Sequence, residues 1–171
     1  MTDVDAQVRD RVALQDLAVE YANAIDARQW HRLDQVFLPD ARIDYSATGG
    51  IDAPYPEIKP WLAKSLSFFR RHMHLMGNFH FEISGDQATG QVACYNPMVI
   101  RNLLGIGTRT VVFGIWYHDR YVRSEQGWRI ASRRQELCYT LNMPLWMRIG
   151  RYLYVKLQAR ARRRLAVSPM S

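Results

Sequence analysis

Cysteine is scarce in this 171-residue chain, which contains Cys94 and Cys138 and no others. Their spacing fits neither a Cys-x-x-Cys redox pair nor a zinc-ligand pattern, so the cysteines indicate neither of these sites. Both residues lie in apolar segments that resemble strands. We therefore expect two buried, reduced thiols in a cytosolic protein rather than a disulfide. A chain of this length buries a sizeable core without such help.

Long hydrophobic runs are also missing. No apolar segment approaches the roughly 20 residues that a membrane-spanning helix needs. The amino-terminal segment Met1-Thr2-Asp3-Val4-Asp5 is acidic and lacks the basic and then apolar pattern of a secretory signal. We therefore expect a cytoplasmic protein. The Gly105–Gly107 pair is a hairpin-turn signal rather than a phosphate-binding loop.

Acidic residues are absent after Glu136. All 16 Asp and Glu precede residue 137, together with 16 of the 23 Lys and Arg, so residues 1–136 are electrically neutral. The net charge of +7 therefore belongs entirely to the C-terminal segment. Because the neutral body lacks a basic face with stacking aromatic residues, nucleic acid is not an expected partner.

The C-terminal segment, residues 143–171, is predicted to be a helical extension of a domain formed by residues 1–142. Its apolar side chains recur at helical spacing, while arginines and Lys156 occupy the other faces. The apolar stripe consists of Trp146, Ile149, Leu153, Leu157, Ala161 and Leu165. Such a helix, over about residues 145–165, can dock on a neighbouring subunit or lie on an anionic membrane surface. Subunit docking is the slightly favoured interpretation, and peripheral membrane contact is the alternative.

Hydrophobic periodicity predicts helices first and strands afterwards. Apolar residues at steps of three and four predict a helix over 8–27, and shorter helices follow at 29–37 and 60–71. A short alternating strand is expected at 41–46. Runs rich in β-branched and aromatic residues predict long strands over 72–84, 87–103, 108–124 and 127–140. Helices followed by a meander of strands indicate an α+β fold.

Several short motifs occur in the order that is typical of one known family. They are Tyr21…Asp26-x3-Trp30-x2-Leu33, Asp40-Ala41-Arg42-Ile43-Asp44-Tyr45, His74-x3-Asn78, Gly85-Asp86-x-Ala88-x-Gly90 and Tyr121-x5-Gly127-Trp128-Arg129-Ile130. On these residues the chain, from about Ala13 to Leu141, resembles the SnoaL-like branch of the nuclear transport factor 2-like superfamily. The resemblance implies a cone-shaped α+β barrel, in which N-terminal helices pack on a curved, mostly antiparallel sheet.

Within that superfamily the chain is similar to scytalone dehydratase, bile-acid 7α-dehydratase and hexachlorocyclohexane dehydrochlorinase. These lyases use an Asp–His pair without a metal or an organic cofactor, and the resemblance places Asp26 and His74 at the two positions. An imidazole backed by a carboxylate can remove a proton from carbon near neutral pH. We therefore expect a cofactor-independent lyase of the dehydratase type, or an isomerase or cyclase, acting on an apolar ring-containing metabolite.

The resemblance also supplies candidate substrate-binding residues. Tyr21 and Tyr45 match tyrosines that face the substrate, where a phenol can donate a hydrogen bond to developing negative charge. Two positions depart from the relatives. Asn96 stands where the bile-acid enzyme has an acidic residue, and Met98 where scytalone dehydratase has a second histidine. The expected pocket is completed by Met76 and Phe113.

Other interpretations remain open. His72 and His74 have a His-x-His spacing that can bind a metal, but no further cluster of ligands is visible in the sequence, so no metal is expected. The same fold can also serve as a non-catalytic ligand-binding or oligomeric partner domain, including the small subunit of a ring-hydroxylating dioxygenase. We expect the protein to form a homo-oligomer, either a dimer or a trimer.

Overall fold

The fold was obtained as a computed structural model, which describes residues 3–102 and 105–167. Three helices, two short 3-10 helices and seven strands follow one another in the described residues. In chain order they are α1 Asp3–Asp26, η1 Trp30–Gln35, β1 Phe37–Asp44, η2 Ser46–Thr48, β2 Asp52–Pro54, α2 Tyr55–Leu66, β3 Arg71–His72, β4 Leu75–Ser84, β5 Gln87–Arg101, β6 Thr108–Ser124, β7 Gly127–Leu141 and α3 Leu145–Val167.

All seven strands belong to one curled sheet. Strands β4 to β7 form the expected antiparallel meander, and β1 joins its far edge by pairing in parallel with β7. Strand β2 pairs with β1, and β3 pairs with β5 beside β4. The predicted α+β architecture, with N-terminal helices on a mostly antiparallel sheet, is confirmed.

Helix α1 packs its apolar stripe against this sheet, where it contacts β4 and β7. The residues that recur at helical spacing, from Leu14 to Ile25, are all buried, as the periodicity predicts. Helix α2 packs beside β1 and buries Ile58 and Leu62. The core therefore lies between the two helices and the sheet, and α1 delivers its last residue, Asp26, to the end of that core.

Several element boundaries differ from the predictions. Strand β1 begins at Phe37 rather than at residue 41, because extended backbone continues through Pro39. Helix α2 begins at Tyr55, so Pro60 lies inside the helix instead of in its first turn. The prediction that both cysteines are buried is wrong for Cys138, which is exposed on β7, whereas Cys94 is buried. The end of the predicted strand at Leu103 lies outside the described residues.

The predicted strand over 72–84 is divided in two. Strand β3 ends at His72, and β4 begins only at Leu75, so Met73 and His74 form a short break between them. The backbone N–H of Met73 still donates to the Pro97 carbonyl of β5, at 3.2 Å. His74 is thus held beside the sheet but lies outside the strands. Its side chain therefore does not have to follow the alternating directions of side chains in a strand.

Helix α3 covers one end of the core. It contacts the body around η2, where the Arg151 guanidinium donates to the Ala47 carbonyl at 3.3 Å. None of the helices in the described part of the chain is both long and apolar enough to cross a membrane.

Candidate active site

The carboxylate of Asp26 accepts three hydrogen bonds from His72 and His74, at the end of β3 and in the break that follows it. Its Oδ1 lies 2.7 Å from His74 Nδ1 and 3.1 Å from His72 Nδ1, and its Oδ2 accepts the His74 backbone N–H at 2.7 Å. The structure therefore brings together the two residues that the sequence comparison proposed, and adds His72. With Nδ1 of His74 donating to the carboxylate, Nε2 carries the lone pair of the neutral ring.

The hydrogen bonds keep Asp26 ionised. Burial alone would raise its pKa, but the bonds from His72 and His74 outweigh this effect and lower the pKa well below the ordinary value. A carboxylate that accepts several hydrogen bonds is stabilised in its charged form. Asp26 is therefore a permanent acceptor that fixes the ring orientation of His74.

His74 is buried, and for this residue the effect of burial on the pKa is larger than that of the hydrogen bond to Asp26. Burial disfavours the imidazolium and lowers the pKa of His74, and the nearby Arg133 guanidinium acts in the same direction. Asp26 opposes these effects without reversing them. His74 is therefore a neutral imidazole at physiological pH, which is the form required of a base.

The side-chain amide of Asn96 contacts the second ring nitrogen of His74. Its Nδ2 lies 2.6 Å from His74 Nε2, while its Oδ1 is buried and has no hydrogen-bond partner. Half a turn of the amide exchanges these two atoms. Asn96 can therefore donate to the neutral imidazole or accept from the imidazolium.

A chamber of about 330 Å³ adjoins this side of His74. Its walls come from α1, α2, η2, β5, β6, β7 and α3, and they are largely apolar. The lining includes Tyr21, Tyr45, Trp61, Phe69, His74, Asn96, Met98, Phe113, Tyr117, Gln135, Met147 and Tyr154. The chamber thus combines an apolar surface with a few polar groups, as small-molecule sites do.

Two buried tyrosines form a hydrogen-bonded pair in the chamber wall. The hydroxyl oxygens of Tyr21 and Tyr45 lie 3.0 Å apart, and the Tyr21 ring meets the His74 ring edge-on at 6.1 Å between centroids. Burial raises the pKa of both phenols well above the ordinary value, so both remain protonated. The pair is a source of hydrogen-bond donors beside the imidazole.

A buried ion pair packs against the rings of Tyr21 and Tyr117 in the chamber wall. Arg133 binds Asp119 through two hydrogen bonds of 2.8 and 2.7 Å, and both side chains are fully buried. The Arg133 guanidinium carbon lies 4.1 Å from the centre of the Tyr21 ring and 4.2 Å from that of Tyr117. A positive charge is therefore fixed against the chamber wall.

A second, open cleft of about 820 Å³ lies on the other side of Asp26. Arg28, Arg70 and Arg71 line it together with His72. The ligand atoms of Asp26, His72 and His74 lie within 4.8 Å of one another, so these three residues could hold a metal ion. The sequence showed the His-x-His pair, and the family resemblance paired Asp26 with His74, but only the structure brings all three residues together.

The other predicted residues are divided between the chamber and its surroundings. Met98 and Phe113 line the chamber with the two tyrosines and Asn96. Met76 does not: it lies half-buried on β4, packed against the core outside the chamber lining. This placement corrects the expectation that Met76 faces the ligand.

Sequence reasoning missed several chamber residues. Tyr117 follows Phe113 and Ile115 at steps of two on β6, and Gln135 follows Arg133 in the same way on β7. The spacing of two residues along both strands was the available signal. Trp61 and Tyr154 reach the chamber from helices, and no pattern in the sequence pointed to them.

Comparison with known proteins agrees with this architecture. A model of the SnoaL-like domain matches residues 6–134, which is most of the chain. The chain belongs to the SnoaL-like domain family. Within it, the uncharacterized protein Rv2910c of Mycobacterium tuberculosis is 45% identical over 134 residues, covering 78% of this chain and 89% of that protein.

Two further similarities extend the picture of this SnoaL-like chain. The protein named "Probable cyclase FGR4" of Gibberella zeae is 25% identical over 143 residues, covering 74% of this chain and 89% of that protein. The crystal structure of a type 2 hexachlorocyclohexane dehydrochlorinase superposes with a TM-score of 0.69 at 21% identity. It covers 84% of this chain and 95% of the dehydrochlorinase. The predicted membership in the SnoaL-like branch is confirmed.

Proposed function

We propose that this protein is a cofactor-independent lyase that eliminates a β-leaving group, such as water, from an apolar ring-containing metabolite. The observation that carries the proposal is the 2.7 Å contact between Asp26 and His74 at the wall of a largely apolar chamber. A neutral imidazole and an ionised carboxylate in this arrangement are suited to removing a proton from carbon. The fold shared with a dehydrochlorinase is consistent with this chemistry.

In the proposed reaction, the substrate displaces the Asn96 amide from His74 Nε2, and Nε2 then takes a proton from the carbon next to an activating carbonyl. The electrons of the broken C–H bond form the new double bond, and the leaving group departs from the β-carbon with its bonding pair. Asp26 accepts the hydrogen bond from Nδ1 and stabilises the imidazolium as it forms. The imidazolium then returns its proton to the departing hydroxide, which releases water and restores the base.

Asn96 and the tyrosines complete the proposed site. Once Nε2 is protonated, the Asn96 oxygen can accept its hydrogen after the amide turns. Tyr21 or Tyr45 donates a hydrogen bond to the enolate oxygen, in a position where the buried Arg133 adds favourable charge. Base catalysis alone contributes about 10²–10⁴-fold, so these donors and the orientation of the substrate must supply the remainder.

The volume and the lining of the chamber limit the size and polarity of the substrate that we propose. Its volume of about 330 Å³ lies near the lower end of the roughly 300–1,000 Å³ that is typical of ligand sites. Aromatic and thioether side chains, including Trp61, Phe113 and Met98, form much of its surface. We therefore infer a compact molecule with one or two rings rather than an extended polycycle.

The test replaces His74 with alanine and screens hydroxylated polyketide and terpenoid compounds of one or two rings for loss of water by mass spectrometry, with steroids as the polycyclic comparison. We expect His74→Ala to lose at least about 10²-fold in turnover, because it removes the base. His80→Ala is the matched control, since its side chain lies 70% exposed on β4, away from the chamber. Equal turnover in wild type and His74→Ala would overturn the proposal.

A cyclisation or isomerisation is the second candidate. The similarity to a protein named as a probable cyclase favours it, and the same dyad could move a proton between carbon atoms without expelling a group. Incubation in deuterated water distinguishes the two reactions. Elimination gives a product lighter by one water, whereas isomerisation loses no atoms and gives a product in which deuterium replaces a hydrogen on carbon.

A further inference from the structure

Helix α3 presents two different faces over its first four turns. Met147 and Tyr154 line the chamber, and Arg151 bonds to the backbone of η2, so these residues form the inner face. The outer face carries large apolar side chains that are 43% to 68% exposed. They are Leu145, Trp146, Ile149, Leu153 and Leu157.

The exposed apolar surface continues onto the segment that follows α2. Phe68 is 56% exposed, and its ring meets the Trp146 ring edge-on at 6.2 Å between centroids. The next residue, Phe69, contacts Phe68 and lines the chamber. A single apolar patch therefore runs from the outer face of α3 to the wall of the chamber. We call it the α3 patch, defined by Phe68 and the five outer residues of α3.

The C-terminal segment that contains α3 carries charge of one sign only. From residue 137 onward the sequence holds seven Lys and Arg and no Asp or Glu. Lys156 lies on the exposed side of the helix, and four arginines follow between residues 160 and 164. An apolar helix face joined to a dense positive charge is the combination that binds anionic lipid surfaces.

We propose that the α3 patch docks on an anionic lipid bilayer. The outer side chains of α3 and Phe68 enter the interface between headgroups and acyl chains, and the C-terminal arginines contact the lipid phosphates. Docking in this way seats the outer wall of the chamber against the membrane. If the proposed function holds, an apolar ring compound dissolved in lipid passes between α2 and α3 into the chamber.

A bilayer fits this surface better than a second copy of the chain does. Two α3 helices packed against each other would bring together two segments that each carry seven positive charges and no negative charge after Glu136. The remainder of the chain is neutral overall and supplies no excess of acid. Like charges placed together oppose association, whereas anionic headgroups favour it.

Vesicle flotation with the full-length chain tests the proposal. The protein is mixed with vesicles of phosphatidylcholine alone or of phosphatidylcholine with phosphatidylglycerol, and its partitioning is measured across a range of salt concentrations. We expect flotation with the anionic vesicles, weakening as salt rises because headgroup attraction is screened. No partitioning into anionic vesicles at low salt would overturn the proposal.

A matched pair of double variants locates the contact. Ile149→Glu/Leu153→Glu should lower partitioning by about tenfold or more, since it removes apolar contact and adds charges that the headgroups repel. The control is Val8→Glu/Val12→Glu, which changes two valines on α1 that are 54% and 51% exposed, against 50% and 53% for the test pair. The control should float as wild type does, and an equal loss in both variants would overturn the proposal.

Two readouts separate the bilayer from a second copy of the chain. Brominated lipids should quench the fluorescence of the wild type more than that of Trp146→Phe, because Trp146 enters the acyl region. Size-exclusion chromatography without lipid should give the same oligomeric state for wild type and the α3 double variant. Dissociation of an oligomer by that variant, without quenching in the wild type, would assign the α3 patch to a subunit contact. Vesicle binding needs no substrate, so it can fail independently of the proposed lyase activity.

Discussion

At the scale of single residues, the protonation of His74 depends on the groups that contact its two ring nitrogens. Asp26 accepts from Nδ1, and the Asn96 amide contacts Nε2 at the chamber wall. Burial of the ring lowers its pKa even though a carboxylate lies 2.7 Å away. An uncharged amide at position 96 therefore preserves the free base, whereas a carboxylate there would favour the imidazolium.

Replacing Asn96 with aspartate should raise the pKa of His74. The new carboxylate would lie beside Nε2 and stabilise the charged ring, so protonation would begin at a higher pH than in the wild type. In the wild type the midpoint is expected below the usual value of about 6.5. NMR titration of the imidazole nitrogens measures both midpoints.

The control for this prediction is Asn96→Leu, which removes the hydrogen bond without adding charge and should leave the pKa depressed. An equal rise in both variants would show that the amide contact, rather than charge, sets the titration. Since only the neutral ring can act as a base, Asn96→Asp should also require a higher pH for half-maximal turnover.

Removing the positive member of the buried ion pair should destabilise the protein strongly. Arg133→Met removes the cation that pairs with the buried Asp119 carboxylate and leaves it the Tyr121 hydroxyl as a donor, and breaking a buried pair typically costs about 3–5 kcal/mol. Arg42→Met breaks an exposed pair with Asp52 and should cost no more than about 1 kcal/mol. Urea denaturation compares the two variants, and similar losses would contradict the assigned role of burial.

At the scale of elements, the meander depends on close packing between neighbouring strands. Gly90 on β5 lies beneath two buried rings. A Cβ added there would lie 2.6 Å from Phe81 Cδ1 and 2.9 Å from Tyr121 Cε2. These rings meet edge-on, 5.8 Å apart between centroids, so neither can move away without disturbing the other.

Gly90→Ala should therefore lower the free energy of unfolding by about 1–3 kcal/mol through overpacking. Gly77→Ala on β4 is the comparison, because a Cβ at that position meets no atom within 4 Å. Thermal unfolding followed by circular dichroism would measure both. A loss at Gly77 as large as that at Gly90 would show that backbone freedom, not packing, explains the effect.

Periodicity predicted the long elements well and failed where packing interrupts a pattern. The apolar stripe of α1 and the three long strands β5 to β7 were visible, since each repeats a local spacing several times. The break at Met73 and His74 was not, because the residues on both sides have strand-like composition. Strand β2, three residues long, is too short to show a period at all.

At the scale of the whole molecule, the neutral domain should fold without its C-terminal helix. Because α3 meets the body mainly around η2 and leaves the sheet intact, we expect a chain ending at Asn142 to keep its β-sheet signal. Its cooperative unfolding should remain, with a midpoint within a few degrees of the full-length protein. Calorimetry of the truncated chain provides the test, and loss of the cooperative transition would show that residues 143–171 belong to the folding unit.

The sequence by itself determined the order of the elements, the neutral body and the basic C-terminal segment. These properties can be taken from the linear sequence: hydrophobic periods and turn signals depend on neighbouring residues, and charges are counted along the chain. It also carried the family motifs, from Tyr21 to Ile130, which placed Asp26 and His74 at corresponding positions. The membership that these motifs indicated agrees with the match over residues 6–134.

Only the tertiary structure decided which side chains meet. Asp26 and His74 are 48 positions apart, and their contact exists because α1 ends beside the break before β4. The same packing adds His72 to the carboxylate, fixes Arg133 behind Tyr21 and excludes Met76 from the chamber. Contacts of this kind depend on how the sheet curls around the helices, and no local spacing in the chain encodes that curvature.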